Sequence, residues 1–264
     1  MAQGTVMYFI LKKHILELES MKKYPETIYY RGNLDLLNRP KVSIVGTRRP
    51  SGYTKSILMQ LASSLSSRGV VVVSGAAIGV DALAHKGAGV DKTIAVMGCG
   101  INHRYPKINS ALIKSIESSG GLVLSQFDPD FTATPWSFVV RNELVVALGD
   151  ILIVAQADFN SGTMRSVEYA KKMGKSIFVL PHRLGDSEGT NALLEEKEAE
   201  AIYDIEKFAN RFGLLSKSDN EDPFIQYCKK SPSYEDAMKK FGHRLFEAEL
   251  EGIITAKDGR VVVL

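Results

Sequence analysis

The sequence predicts an α/β protein built on a doubly wound parallel sheet. Three observations predict it. Six short runs rich in β-branched residues recur at 42–46, 70–74, 93–97, 121–125, 151–155 and 176–180. Their near-continuous apolarity suits strands buried on both faces of a parallel sheet. Stretches with helical spacing lie between them, at 53–68, 79–88, 137–148 and 163–173, and strand–helix alternation is the rhythm of an α/β domain.

Each region follows in chain order. Residues 1–40 read as an N-terminal segment with a charged helix candidate over 12–23, then Ile28-Tyr29-Tyr30, a run suited to a sheet edge. Residues 41–213 hold the six strands. Ligands of such sheets sit at the carboxyl ends of the strands, where the loops gather. Residues 214–222 are polar, precede a proline and read as a linker. Residues 223–264 suggest helices at 224–230, 233–241 and 242–251. The Asp258-Gly259 pair between two apolar runs then signals a hairpin. Three short helices and a hairpin suggest a winged-helix-like unit, with little core of its own.

Composition bounds the function. The chain has 264 residues and a net charge of +3. That balance permits a nucleic-acid partner without demanding one, so any basic site must be local. Cys99 and Cys228 lie far apart, which argues against a disulfide framework or a zinc site and fits a reducing cytoplasm. The early apolar run 6–11 is too short to span a membrane, and lysines follow it, unlike a signal peptide. The five histidines lack metal-ligand spacing. Neither a metal nor a cofactor is expected.

Four strand ends open into loops suited to an anion. Gly46-Thr47-Arg48-Arg49-Pro50-Ser51-Gly52 puts two arginines beside a helix start near Ser51. There, free N–H groups and the positive dipole end face the strand tip. The alternative is a turn with solvated arginines. Ser74-Gly75-Ala76-Ala77-Ile78-Gly79-Val80-Asp81 lets a ligand approach the backbone, with Asp81 holding the loop shape; tight strand–helix packing is the other reading. Asn160-Ser161-Gly162-Thr163 repeats the strand, small polar loop, helix pattern, with Glu168 beyond as a surface or capping carboxylate. The stretch 131–142 carries Trp136, Phe138, Arg141 and Asn142. Aromatic faces with nearby cations are what single-stranded nucleic acid needs, since each base offers a π-face and each linkage a charge. Cys99 reads as a buried small residue rather than a nucleophile.

Taken together, the loops resemble the DNA-processing protein A (DprA/Smf) family. The matching stretches are VSIVGTRRPSGY (42–53), VSGAAIGVDALAHKGA (73–88), Gly98-Cys99-Gly100-Ile101 with Tyr105-Pro106, GLVLS (121–125), FVVRN (138–142), ADFNSGT (157–163), FVLP (178–181) and GTNALL (189–194). The resemblance runs in order over about 24–200. It implies an extended Rossmann-like domain that binds single-stranded DNA, is not an enzyme, forms a homodimer and passes the strand to the RecA recombinase in natural transformation. The resemblance implies Arg48, Arg49, Ser74, Gly75, Gly79, Phe138, Arg141 and Asn142 as DNA-binding residues, and the loop reading adds Ser51, Ala76, Trp136, Ser161, Gly162 and Thr163 to the candidates. The C-terminal unit adds a possible duplex DNA contact.

Three departures stand out. The helical N-terminal domain of longer members is largely missing. The family's Arg-Asn-Arg is Arg141-Asn142-Glu143 here. Pro135-Trp136 stands where related short members place a lysine, so Trp136 is expected to replace charge with stacking, worth about 1–3 kcal/mol per base. A competing reading compares Ser161–Glu168 with the Gly-Gly-x-Gly-Thr-x-x-Glu loop of the lonely-guy phosphoribohydrolases, which cleave nucleoside monophosphates. The echo lacks the paired glycines.

Overall fold

The computed structural model describes residues 7–213, 223–228, 230–250, 252–257 and 259–263. The expected linker 214–222 and Asp258 lie outside the described residues. The chain divides into two compact units at Leu214/Leu215.

The first unit is a nine-stranded sheet with helices on both faces. Its strands are β1 (Phe9–Ile10), β2 (Tyr29–Gly32), β3 (Lys41–Val45), β4 (Val71–Ser74), β5 (Thr93–Val96), β6 (Leu122–Ser125), β7 (Ile151–Val154), β8 (Ile177–Val179) and β9 (Glu200–Ala201). Its helices are α1 (Gly52–Ser67), α2 (Val80–Ala88), α3 (Ser110–Ser118), α4 (Pro135–Leu148), α5 (Gly162–Lys172), α6 (Glu188–Glu195) and α7 (Ile205–Ala209). The strand order is β1-β2-β6-β5-β4-β3-β7-β8-β9. Strands β3 to β9 run parallel, and β1 and β2 complete one edge antiparallel. The chain winds outward from β3 through β4, β5 and β6, then returns to the other side of β3 at β7. The order therefore reverses between β3 and β7, and a crevice opens at their carboxyl ends.

Period-two alternation divides each buried strand between two cores. Val42, Ile44, Val70 and Val72 face one layer with Leu58, Leu61, Ala62 and Leu65 of α1. Val71, Val73, Ile94 and Val96 face the other with Leu144, Val145 and Leu148 of α4. The α1 stripe follows i, i+3, i+4, i+7, and burying each leucine stabilises by about 1.5–3 kcal/mol. Ser51 starts α1 by accepting the Thr54 N–H at 3.1 Å.

The N-terminal segment differs from expectation. No α-helix forms over 12–23; the described backbone there makes one 3₁₀ turn, Leu16–Ser20. Ile15, Leu18 and Met21 are buried and recur every three residues. A three-residue period keeps one face inward on a 3₁₀ turn, whereas on an α-helix it drifts round the cylinder. The Tyr29–Tyr30 run does take an edge, pairing Tyr30 with both Phe9 and Leu124.

The second unit holds α8 (Pro223–Cys228), α9 (Tyr234–Phe241), α10 (His243–Leu250) and the antiparallel pair β10 (Ile254–Lys257) and β11 (Arg260–Val263). Ser233 caps α9 by accepting the Asp236 N–H at 3.1 Å. Phe224, Cys228, Ala237, Leu245, Ala248, Ile254 and Val261 form its core. Among the described residues, no helix is long and apolar enough to cross a membrane.

Candidate functional site

A groove of about 620 Å³ lies at the crevice between β3 and β7. The loop after β3 supplies Thr47, Arg48 and Arg49; the loop after β4 supplies Gly75 and Ala77; α2 supplies Asp81; α4 supplies Pro135, Phe138, Val139, Arg141, Asn142 and Val145. The end of β3 adds Val45, and the start of α5 adds Ser161, Gly162, Thr163 and Ser166.

The β3–α1 loop is braced from across the crevice by Gln156. Its main-chain carbonyl accepts the Thr47 N–H at 2.8 Å. Its side-chain Oε1 accepts the Ser51 N–H at 2.9 Å and the Thr54 hydroxyl at 2.8 Å. Arg48 and Arg49 stand exposed on this loop, and neither has a carboxylate partner among the described residues. Ser51 lies outside the groove lining; its hydroxyl caps α1.

The β4–α2 loop is held from within. The Ser74 side chain is fully buried and donates to the Ile44 carbonyl at 2.6 Å, so it does not reach a ligand. Ala76 is also fully buried, at φ +56, with its carbonyl accepting from Asn109 Nδ2 at 3.0 Å. Asp81 accepts the Ala77 N–H at 3.3 Å. Burial raises its carboxyl pKa, against the pull of Arg141 and the Ala77 N–H. Gly79 sits at φ +81, and a Cβ there would stand 2.5 Å from the Thr47 carbonyl oxygen. Its role is close packing of two loops rather than ligand contact. Ser74, Ala76 and Gly79 thus shape the floor from below.

Arg141 departs most from expectation. It is 4% exposed and donates to the carbonyls of Gly75 and Val96, the second at 2.7 Å, and through Nε to Asn142 Oδ1 at 3.1 Å. Burial lowers its pKa, Asp81 and Cys99 oppose that, and Arg48 adds to it. A guanidinium remains charged under such a shift. Arg141 is therefore a brace across the ends of β4 and β5, rather than a free phosphate donor. Phe138 stands half-buried beside it. The Arg48 Cζ lies 5.9 Å and the Arg141 Cζ 5.8 Å from the Phe138 ring centre, within the range of cation–π attraction.

Trp136 does not line the groove. It is 54% exposed and meets Phe127 and Phe131 edge-on, each at 5.7 Å. Glu143, the departure in the Arg-Asn-Glu triplet, accepts the Lys22 N–H at 2.7 Å and so ties α4 to the N-terminal segment. Glu168 lies outside the groove and pairs with Arg165 at 3.2 Å.

At the α5 end, Ser161 does not cap its helix. The hydroxyls of Ser161 and Ser166 are buried without a hydrogen-bond partner. Ser166 and Gln156 were not singled out from the sequence. The signal for Ser166 was its place four residues after Gly162, on the same helix face. Behind the floor, His85 Nδ1 meets Thr93 Oγ1 at 2.6 Å, and that hydroxyl donates to the Val72 carbonyl at 2.7 Å. The hydroxyl proton is thus committed, so Nδ1 carries the imidazole proton. Burial and then Arg141 lower the His85 pKa to about 3. Cys99 is buried, and burial pushes its thiol pKa up. No cluster of three potential metal ligands occurs among the described residues.

A family model described as DNA recombination-mediator protein A matches residues 7–213. The DNA processing protein DprA of Streptococcus pneumoniae is 35% identical over 184 residues, covering 68% of this chain and 64% of that protein. The Bacillus subtilis DprA is 30% identical over 199 residues, covering 74% and 67%. Protein Smf of Escherichia coli is 31% identical over 186 residues, covering 68% and 49%. The chain thus spans about half to two thirds of the length of these relatives. Among solved structures, DNA processing protein A from Helicobacter pylori, described for its single-stranded DNA binding mode, superposes with a TM-score of 0.75 at 42% identity, covering 77% of this chain and 94% of that one. The Streptococcus pneumoniae DprA structure gives 0.72 at 31% identity, covering 80% and 76%.

Proposed function

The chain belongs to the DNA recombination-mediator protein A family, and on that premise we propose that it binds single-stranded DNA in the groove between β3 and β7. One observation carries the reading: among the described residues, Arg48 and Arg49 have no carboxylate partner, and they stand at the rim of a groove whose wall presents the Phe138 ring. Phosphates of a strand neutralise the two guanidinium groups, and a base lies against Phe138. Arg141, Asp81, Ser74 and Gln156 keep the floor and rim in shape. Asn142, Ser161, Gly162 and Thr163 offer further polar contacts. The groove binds its ligand rather than transforming it. Delivery of the strand to the RecA recombinase, a homodimeric state, a cytoplasmic site of action and a part in natural transformation complete the proposal, supported by family membership alone. In the same proposal the C-terminal unit, with helices followed by a hairpin, acts as a winged-helix-like module that touches duplex DNA.

The test is oligo(dT) binding by the wild type and by the Arg48→Ala/Arg49→Ala variant across a salt series. The reading expects a weaker variant with a shallower salt dependence. Equal affinity and equal slope would remove the arginines from the interface.

A further inference from the structure

One end of the groove carries an unexplained feature. Ser166 is 1% exposed, and its hydroxyl has no hydrogen-bond partner, although it belongs to the groove wall. The Ser161 hydroxyl is in the same state five residues earlier, just before the helix. A buried hydroxyl without a partner costs about 1–3 kcal/mol. Both residues line the same groove, which makes it the place where a ligand's acceptors would complete the structure.

What surrounds them defines the ligand. Gly162, Thr163 and Ser166 share one face of α5. Gly162 and Thr163 open an 11-residue helix, so their N–H groups have no intrahelical carbonyl. The Met164 N–H is the one turned back, to the Ser161 carbonyl at 3.1 Å. Nothing stands within 4 Å of where a Cβ on Gly162 would be, so the approach is open. The start of α5 therefore offers two hydroxyl donors, two main-chain donors and a positive helix end to the groove, a set suited to an anion. The carboxylate that shares the groove, Asp81, turns toward the Ala77 N–H of its own loop.

The depth of the position separates two kinds of phosphate. Val45, Val145, Thr163 and Ser166 are all buried, and they form the inner wall of the groove. Arg48, Arg49 and Gly162 are its exposed rim. A phosphodiester carries a sugar on both sides and must leave the floor as it entered. A phosphate monoester carries one, and its three free oxygens match a set of four donors. We propose that the α5 end of the groove is a seat for a phosphate monoester, supplied by the phosphorylated end of a strand or by a free nucleotide; this rests on the reading of the groove as a nucleic-acid site.

The test uses the full chain and internally labelled oligo(dT) bearing a 5′-phosphate, a 3′-phosphate or neither, read by fluorescence anisotropy. Thymidine 5′-monophosphate serves as competitor. One of the two terminal phosphates is expected to tighten binding about tenfold. Ser166→Ala removes most of that gain, measured against the variant's own unphosphorylated oligomer, and keeps the melting temperature at or above that of the wild type, since it deletes an unpaired buried hydroxyl. The gain also shrinks as pH falls through about 6, where a monoester takes up its second proton. Competition by the mononucleotide names the free nucleotide as the source. Its failure, with the tenfold gain intact, names the strand end. Equal affinity of all three oligomers without competition overturns the seat and leaves strand binding standing. If no oligomer binds, the groove reading falls, and direct titration with the mononucleotide decides the seat.

Discussion

The guanidinium of Arg141 occupies the space that a side chain at position 75 would need. A Cβ on Gly75 would stand 2.5 Å from the Arg141 Cζ, and Arg141 donates to the Gly75 carbonyl. The two residues, 66 apart in sequence, are a single joint between β4 and α4. Arg141, a ligand-contact candidate in the sequence, is thereby a structural part, whereas Arg48, the first choice for a phosphate contact, stands exposed.

That division predicts opposite behaviour for two alanine variants. Arg141→Ala leaves the Gly75 and Val96 carbonyls without their donor and should destabilise by about 3 kcal/mol. Arg48→Ala should change stability by less than about 0.5 kcal/mol, because its side chain is exposed and has no ion pair among the described residues. Urea unfolding of both variants checks this, and an Arg141→Ala protein as stable as the wild type would refute the joint.

The salt dependence of strand binding gives the second prediction. Each phosphate neutralised on single-stranded DNA contributes about 0.7 to the slope of log affinity against log salt. Replacing both Arg48 and Arg49 should flatten the slope by about 1.4 if each meets a phosphate. A change near 0.7 identifies one direct contact, with Arg48 the first candidate and Arg49 bracing the loop. Single variants over the same salt series assign it.

Aromatic contacts separate by position. Phe138→Ala should weaken oligo(dT) binding by about 1–3 kcal/mol, whereas Trp136→Ala should leave it within about twofold. Trp136 is the single tryptophan of the chain, so its fluorescence reports directly. Saturating oligomer should leave the emission nearly unquenched. Strong quenching would place a base on the Trp136–Phe131 cluster and restore the stacking role expected from the sequence.

The buried imidazole makes stability depend on pH. His85 has a native pKa of about 3 against an ordinary 6.5. Between those values the unfolded chain binds a proton that the native chain refuses, so native stability falls as pH is lowered through this window. The loss is on the order of 5 kcal/mol when complete. Asp81 acts in the opposite sense, because burial raises its carboxyl and favours the native state at low pH. Comparing His85→Gln with the wild type in urea at pH 7 and pH 4.5 isolates the histidine: the variant should lose less stability between the two.

The strands were legible because each is a run of apolar residues buried on both sides. Val70 to Val73 need no partner information to be read as a central strand. The sheet edges were legible only in part. Phe9–Ile10 and Glu200–Ala201 are two residues each, held by neighbours that a linear pattern does not reveal. Loop positions were legible because glycine and arginine mark strand ends. Side-chain direction was not: Ser74 and Arg141 turn inward to carbonyls 30 and 66 residues away. Gln156 is an ordinary glutamine in the sequence and gains its meaning from the strand reversal that sets β7 beside β3.

Gln156 carries one more consequence. By gripping Thr47, Ser51 and Thr54 together, it makes the two lips of the crevice a single body anchored to the sheet. Moving this lip would break those three hydrogen bonds. Adaptation to an incoming strand falls to the swing of the Arg48 and Arg49 side chains, which takes picoseconds to nanoseconds. Capture should then be a one-step encounter whose rate rises in proportion to oligomer concentration without a plateau, a bearing that opens by turning two handles while its frame stays still.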